Sequence, residues 1–281
     1  MKKVGILMAL LCLSMASWSR IVTDSIKSKV LNATVKINVY LPSEFDQKPQ
    51  KQYPVVYLLH GLTDTYRAWN DKGHLNSVAD EMISQGDIPP MVIIMPNAGG
   101  PNTRRDWNGY FNMEGWAYED FFFKELMPAM EKKYRIIGDK ANRAVSGLSM
   151  GGGGCTVYSQ RHPDLFSSCY AMSAWLTSQD TQVNPNDHQT AVSKAVHDFS
   201  AIEYVRNASA EVVEKLKTVR WFVDIGDDDF LLDQDLEYYR LMRGKRIACE
   251  LRVRNGGHEW GYWTSALRTS LPFAAQSFKK E

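Results

Sequence analysis

Hydrophobic positions along the chain fall into two kinds of run. Residues 34–41 alternate apolar and polar (Thr-Val-Lys-Ile-Asn-Val-Tyr-Leu), which predicts a strand with one solvated face. Residues 21–30 are expected to pair with it as a leading hairpin. Residues 54–59 and 91–95 are instead continuous apolar runs, as expected of central strands buried on both faces. Further strands are predicted at 143–146, 168–172, 220–225 and 248–253. Between them, apolar residues recur at helical spacing over 75–83, 117–134, 150–161, 231–242 and 260–278, with Phe121, Leu126, Met127 and Met130 marking the apolar side of the second. The stretch from 175 to 208 breaks this rhythm. It is polar, holds Pro185, His188 and His197, and reads as an excursion above the sheet rather than a second domain. Strands alternating with helices predict an α/β architecture, a mostly parallel sheet covered by helices on both faces.

The amino terminus has a different pattern. Lys2 and Lys3 precede an apolar run from Val4 to Leu13, and Ser17 and Ser19 place small residues at −3 and −1 of a cut before Arg20. That is the layout of a secretory signal peptide, too short for a comfortable membrane span. Cys12 is a poor lipid-anchor site, because the large Leu11 precedes it. The expected organisation is a leader over 1–19 and one catalytic domain over 20–281. No later stretch reaches about 18 apolar residues, so no membrane span is expected after cleavage. The expected location is the periplasm or the exterior.

Composition then narrows the class. The chain has 281 residues with 33 Lys+Arg against 32 Asp+Glu, 44% hydrophobic and 23% charged. These proportions exclude a disordered chain. A formal charge of +1 supplies no field for gripping phosphates, which argues against nucleic acid as a partner. Loss of the leader removes two lysines and Cys12. The three remaining cysteines, Cys155, Cys169 and Cys249, lie in stretches read as buried elements. Three packed thiols are expected, with one disulfide as the alternative. Their separation lacks zinc-ligand spacing, and neither a metal nor another cofactor is expected.

The candidate chemistry begins at Gly147-Leu148-Ser149-Met150-Gly151, a G-x-S-x-G motif entered from a strand and left by a helix. That context is a nucleophile elbow, whose strained turn lifts a serine hydroxyl above the sheet edge. Flanking glycines are required because a Cβ at either would strike a neighbouring strand or helix. The turn also points the Met150 N–H at a developing oxyanion. A serine nucleophile needs a base, and the base a carboxylate, in the chain order Ser, acid, His on this architecture. His60 and His74 precede Ser149 and are excluded by order. His162 ends the following helix, and His188 and His197 lie in the polar excursion. His258 follows the last strand in Gly256-Gly257-His258 and is the expected base. Gly226-Asp227-Asp228-Asp229 follows the preceding strand, and on spacing alone any of its three carboxylates could orient His258. A calcium loop is the rival reading of this turn, but the Asp spacing and central glycine are missing.

The motifs at 147–152, His60-Gly61-Leu62-Thr63 and Gly256-Gly257-His258 resemble the esterase D and carbohydrate esterase family 1 group of α/β-hydrolases, which includes feruloyl esterases, acetyl xylan esterases and S-formylglutathione hydrolases. The resemblance spans roughly 25–278 and includes Tyr118-Glu119-Asp120-Phe121 with Glu125, Leu126 and Pro128. It implies the α/β-hydrolase fold and a serine esterase. In that pattern the acid closes a Gly-x-x-Asp turn before an aromatic residue, which selects Asp229 ahead of Phe230. The resemblance also makes the Leu62 N–H the second oxyanion donor.

Substrate class is expected from export and from aromatic residues in the loops. Trp107, Trp175 and Trp260 are candidate substrate-binding residues; the alternative for Trp260 and Trp263 is packing of the last helix on the sheet. Among the relatives, glutathione-thioester hydrolases work inside cells and plant-polysaccharide esterases are typically exported. A leader therefore points to a small-molecule or polysaccharide ester, with feruloyl or acetyl xylan foremost. An acyltransferase or siderophore esterase would carry the same residues. A non-catalytic sugar-binding relative would have no need to retain them.

Overall fold

The computed structural model describes residues 18–100 and 106–279. The expected leader therefore lies outside the described residues up to position 17. In chain order the elements are β1 (Arg20–Ser28), β2 (Ala33–Leu41), β3 (Val55–Leu59), α1 (Ala68–Asp71), α2 (Leu75–Gln85) and β4 (Val92–Pro96). A small hairpin follows, β5 (Asn112–Met113) with β6 (Trp116–Ala117), then α3 (Tyr118–Phe121) and α4 (Met127–Lys133) joined by a π-helical turn over Phe122–Leu126. The second half holds β7 (Arg143–Leu148), α5 (Met150–Arg161), β8 (Ser168–Met172), α6 (His188–Asp198), α7 (Ala201–Arg206), α8 (Ala210–Leu216), β9 (Arg220–Gly226), α9 (Leu232–Gly244), β10 (Cys249–Arg254) and α10 (Trp260–Ala275).

Eight strands form one sheet in the order β1-β2-β4-β3-β7-β8-β9-β10. The β1–β2 and β2–β4 pairs are antiparallel, and every other pair is parallel. This is the α/β-hydrolase fold. The continuous apolar runs are explained by helices on both faces. Val55, Tyr57 and Leu59 of β3 point into one core with Phe122 and Tyr158, whereas Val56 and Leu58 point into the other with Val78, Leu267 and Leu271.

Three features differ from the expected pattern. The helix over 117–134 is broken in register by the π turn, which shifts backbone hydrogen bonding without changing which side chains are apolar. The polar excursion carries regular structure, with α6 and α7 inside it and α8 just beyond. Their apolar stripes are short, but Val192, Val196, Ile202 and Val205 are buried against the main core. The α1 helix and the β5–β6 hairpin are too brief to leave a periodic signal. Cys155 and Cys169 are buried free thiols and Cys249 is a partly buried one.

Candidate active site

Ser149 stands between β7 and α5 with φ 53° and ψ −118°, a conformation that costs a non-glycine residue roughly 1–3 kcal/mol. Its N–H donates to Met172 O at 2.9 Å, and its carbonyl accepts from Gly153 and Trp175 N–H. The turn needs glycine on both sides. A Cβ on Gly147 would lie 2.3 Å from Gly151 O, and one on Gly151 would lie 2.5 Å from Leu59 O. With this backing, the serine side chain faces a cavity of about 470 Å³ at the carboxyl edge of the sheet.

Asp229 and His258 reach the same place from the loops that follow β9 and β10. His258 Nε2 is 2.9 Å from Ser149 Oγ. His258 Nδ1 is 2.9 Å from Asp229 Oδ2 and 3.1 Å from Oδ1. This network assigns the proton to Nδ1, donating to the carboxylate, and leaves the Nε2 lone pair to accept the serine hydroxyl. Leu231 N–H donates to Asp229 Oδ1 at 2.9 Å and holds the carboxylate in its turn. Burial raises the Asp229 pKa. Hydrogen bonds from His258 and from Leu231 N–H, with a smaller contribution from the Ser173 hydroxyl, outweigh that effect and hold the carboxyl below its ordinary range.

Ser173 left no trace in the sequence pattern. It has a positive φ of 45° just beyond β8, and its N–H donates to Asp224 O at 2.8 Å. The Ser173 hydroxyl accepts from Trp263 Nε1 at 3.0 Å, and the same hydroxyl helps to hold the Asp229 carboxyl down. Beneath these groups, buried Asp224 accepts from Tyr262 Oη at 2.6 Å, from Arg254 Nη2 and from the Tyr170 hydroxyl. That cluster ties β9, the end of β10 and the first turn of α10 together on either side of His258.

The His60-Gly61-Leu62 turn is rigid for a related reason. His60 is buried, accepts from Ala98 N–H at Nε2 (3.0 Å) and donates from Nδ1 to Gly61 O (2.8 Å). Burial pushes the His60 imidazole pKa down, so it holds this turn as a neutral ring. Leu62 lines the cavity beside Ser149. Met150 begins α5, so its N–H belongs to the first turn and has no intrahelical acceptor.

Of the three tryptophans expected at the site, Trp175 and Trp260 line the main cavity. Trp107 instead lines a neighbouring space of about 10 Å³ with His60, Leu62 and Met150. Trp260 also packs edge-on against Trp69 and Trp263, with Lys72 Nζ 5.7 Å from its ring. Trp263 is both core and lining, its ring 4.9 Å from that of His258. The remaining lining includes Asp64, which pairs with Lys72 at 2.6 Å, together with Gln189 from α6 and Phe230. Gln189 brings the polar excursion to the site. The other histidines lie elsewhere: His74 precedes the first turn of α2, His162 lies tilted against Phe123, His188 is exposed, and His197 bonds Ser178 O.

A family profile described as “Putative esterase” matches residues 28–274. The chain belongs to this esterase family. It is also similar to a ferulic acid esterase of known structure, at 47% identity and a TM-score of 0.88, covering 93% of this chain and 100% of that one. An endo-1,4-beta-xylanase/feruloyl esterase of Xylanibacter ruminicola is 33% identical over 132 residues, 46% of this chain and 18% of the relative. Together these similarities put the chain in the carbohydrate esterase family 1 feruloyl esterase group. The chain spans 18%, 11% and 28% of the length of three curated relatives it matches. A ferulic acid esterase from Anaeromyces mucronatus, solved with ferulic acid, shares the fold at 20% identity and a TM-score of 0.69 over 94% of this chain and 93% of that one. No helix among the described residues is long and apolar enough to cross a membrane.

Proposed function

We propose that this protein is an exported serine carboxylic-ester hydrolase acting on feruloyl esters of plant cell-wall polysaccharide. The observation that carries the reading is the unbroken hydrogen-bonded chain from Ser149 Oγ through His258 to the buried carboxylate of Asp229.

In the proposed reaction, Ser149 Oγ attacks the ester carbonyl carbon as His258 Nε2 takes the hydroxyl proton. The carbonyl oxygen becomes an oxyanion that accepts from the N–H groups of Leu62 and Met150, each donor contributing roughly 3 kcal/mol in comparable sites. The intermediate collapses, the ester C–O bond breaks, and His258 returns its proton to the departing alcohol. Water then enters, gives a proton to His258 and attacks the acyl-serine. The second collapse frees the acid and restores Ser149. Asp229 holds the imidazole tautomer and stabilises the imidazolium formed in both halves.

The preference for an aromatic acyl group is supported by the 47% identical ferulic acid esterase and by the cavity lining of Trp175, Trp260 and Trp263. Export is supported by the leader pattern over 1–19. The test is a panel of methyl ferulate, acetylated xylan and S-formylglutathione, run with the native protein and with Ser149→Ala. Cleavage of methyl ferulate that disappears in Ser149→Ala supports the proposal. Activity on the thioester alone, or undiminished activity in Ser149→Ala, overturns it.

A further inference from the structure

Phe230 is a large apolar side chain with no place in the core. It follows Asp229 directly, is 76% exposed, and lies on the rim of the cavity that holds Ser149. Its ring centroid is 4.5 Å from that of His258. The backbone around it accounts for this position. Asp229 N–H donates to Gly226 O, Leu232 N–H donates to Asp229 O, and Leu231 N–H donates to the Asp229 carboxylate. The turn that aims Asp229 inward therefore aims the next side chain outward, over the imidazole. Leu231 beside it is buried, so the turn does not lack an apolar anchor.

The imidazole also fixes which part of an ester meets Phe230. In ester cleavage, His258 Nε2 must come within hydrogen-bonding reach of the departing alcohol oxygen to protonate it. The carbons attached to that oxygen then lie within a few ångströms of the imidazole, and a bulky alcohol extends past the ring's neighbours. Phe230 is such a neighbour, and it faces water. A hydroxycinnamoyl ring is apolar on both faces and gains most from enclosure, which the tryptophan-lined interior supplies. A sugar ring has one C–H face that packs on an aromatic ring and an edge of hydroxyls that remain hydrated. An exposed aromatic platform suits the second chemistry.

We infer that Phe230 forms a sugar subsite on the alcohol side of the cleaved bond, stacking on the ring that bears the esterified hydroxyl. The inference rests on the esterase reading above and adds a residue that selects among alcohols rather than among acyl groups. Its partner is a furanose or pyranose ring in ester linkage to the acyl group.

The test compares kcat/KM for a feruloylated arabinoxylo-oligosaccharide with that for methyl ferulate. The two esters share the acyl group and differ in the alcohol. In Phe230→Ala the ratio of sugar ester to methyl ester is expected to fall at least about five-fold, with Phe230→Trp keeping it near the native value. A ratio that changes less than about two-fold in Phe230→Ala overturns the inference, because a contact with the acyl ring would weaken both esters alike. So does a fall that Phe230→Trp does not restore. If the native protein cleaves neither ester, the esterase reading itself has failed, a result separate from any change of ratio.

Discussion

Gly226 and Gly256 approach so closely that a Cβ on Gly226 would lie 2.0 Å from Gly256 O. One residue ends the strand before Asp229 and the other opens the loop before His258. Their contact, with Asp228 N–H donating to Gly256 O at 3.0 Å and Gly256 N–H donating to Asp227 Oδ1 at 3.0 Å, sets the spacing of Asp229 and His258. A methyl group here meets a backbone carbonyl that has no rotamer to escape into. Gly226→Ala is therefore expected to cost about 1–3 kcal/mol of stability and to lower kcat by separating Asp229 from His258. Gly244→Ala, where nothing lies within 4 Å of the added Cβ, is expected to leave both measurements near native. Thermal unfolding and kcat on an aryl acetate check the pair.

Three adjacent carboxylates in one turn offer a direct test of role. Asp229 is buried and bonded to His258, while Asp227 and Asp228 are exposed. Asp229→Asn keeps the shape but removes the charge that stabilises the imidazolium, so kcat is expected to fall by about 10⁴. Asp228→Asn is expected to stay within about two-fold of native. The Asp229 pKa is depressed in the folded protein. Its ionised form thus adds stability above the ordinary carboxylate pKa near 4, and that stability is lost as pH falls through the depressed value. Asp229→Asn should accordingly flatten the acid limb of the unfolding curve.

Elements whose burial is written into every residue were legible in the sequence. The β3 and β4 strands are apolar on both faces because both faces meet helices, and α5 is bounded by the serine turn and by His162-Pro163. Elements whose identity depends on backbone geometry or tertiary contact were not. The π turn over Phe122–Leu126 changes hydrogen-bond partners without moving the apolar stripe. The α6 and α7 helices read as polar loop because each buries only a narrow face. At the site, spacing alone left Asp227, Asp228 and Asp229 equal, since the turn that points one inward is set by the Leu231 and Gly226 backbone bonds. Ser173 had no signal at all, because its position follows from a left-handed residue beyond β8 and from an indole on a helix 90 residues later.

That serine joins two groups, and its removal should separate their effects. Ser173→Ala leaves the buried Trp263 Nε1 without its acceptor, at a cost of about 1–3 kcal/mol. It also removes a hydroxyl that helps to hold the Asp229 carboxyl ionised. The expected result is a lower unfolding temperature together with a fall in kcat of roughly ten-fold at little-changed KM, since Ser173 does not line the cavity. Ser173→Thr, which keeps the hydroxyl, should recover part of kcat even where its methyl group lowers stability. Equal kcat in the alanine and native proteins would remove Ser173 from the support of the acid.

Asp235 gives a prediction of opposite sign to Asp229. It is fully buried on α9; its Oδ2 accepts from Ala174 N–H at 3.0 Å, and its Oδ1 has no partner among the described residues. Burial, with Asp229 and Asp224 adding like charge, pushes its pKa well above the ordinary carboxylate range. The folded protein therefore holds a proton that the unfolded chain releases near pH 4. The linkage runs against stability as pH rises: the group costs nothing below the unfolded pKa, and its penalty grows with pH until the folded pKa is reached. Asp235→Asn keeps the acceptor for Ala174 and removes the titration. Its unfolding temperature should match the native value near pH 4 and exceed it by an amount that widens from pH 5 to pH 8. A constant difference across that range would show that Asp235 does not carry the buried proton.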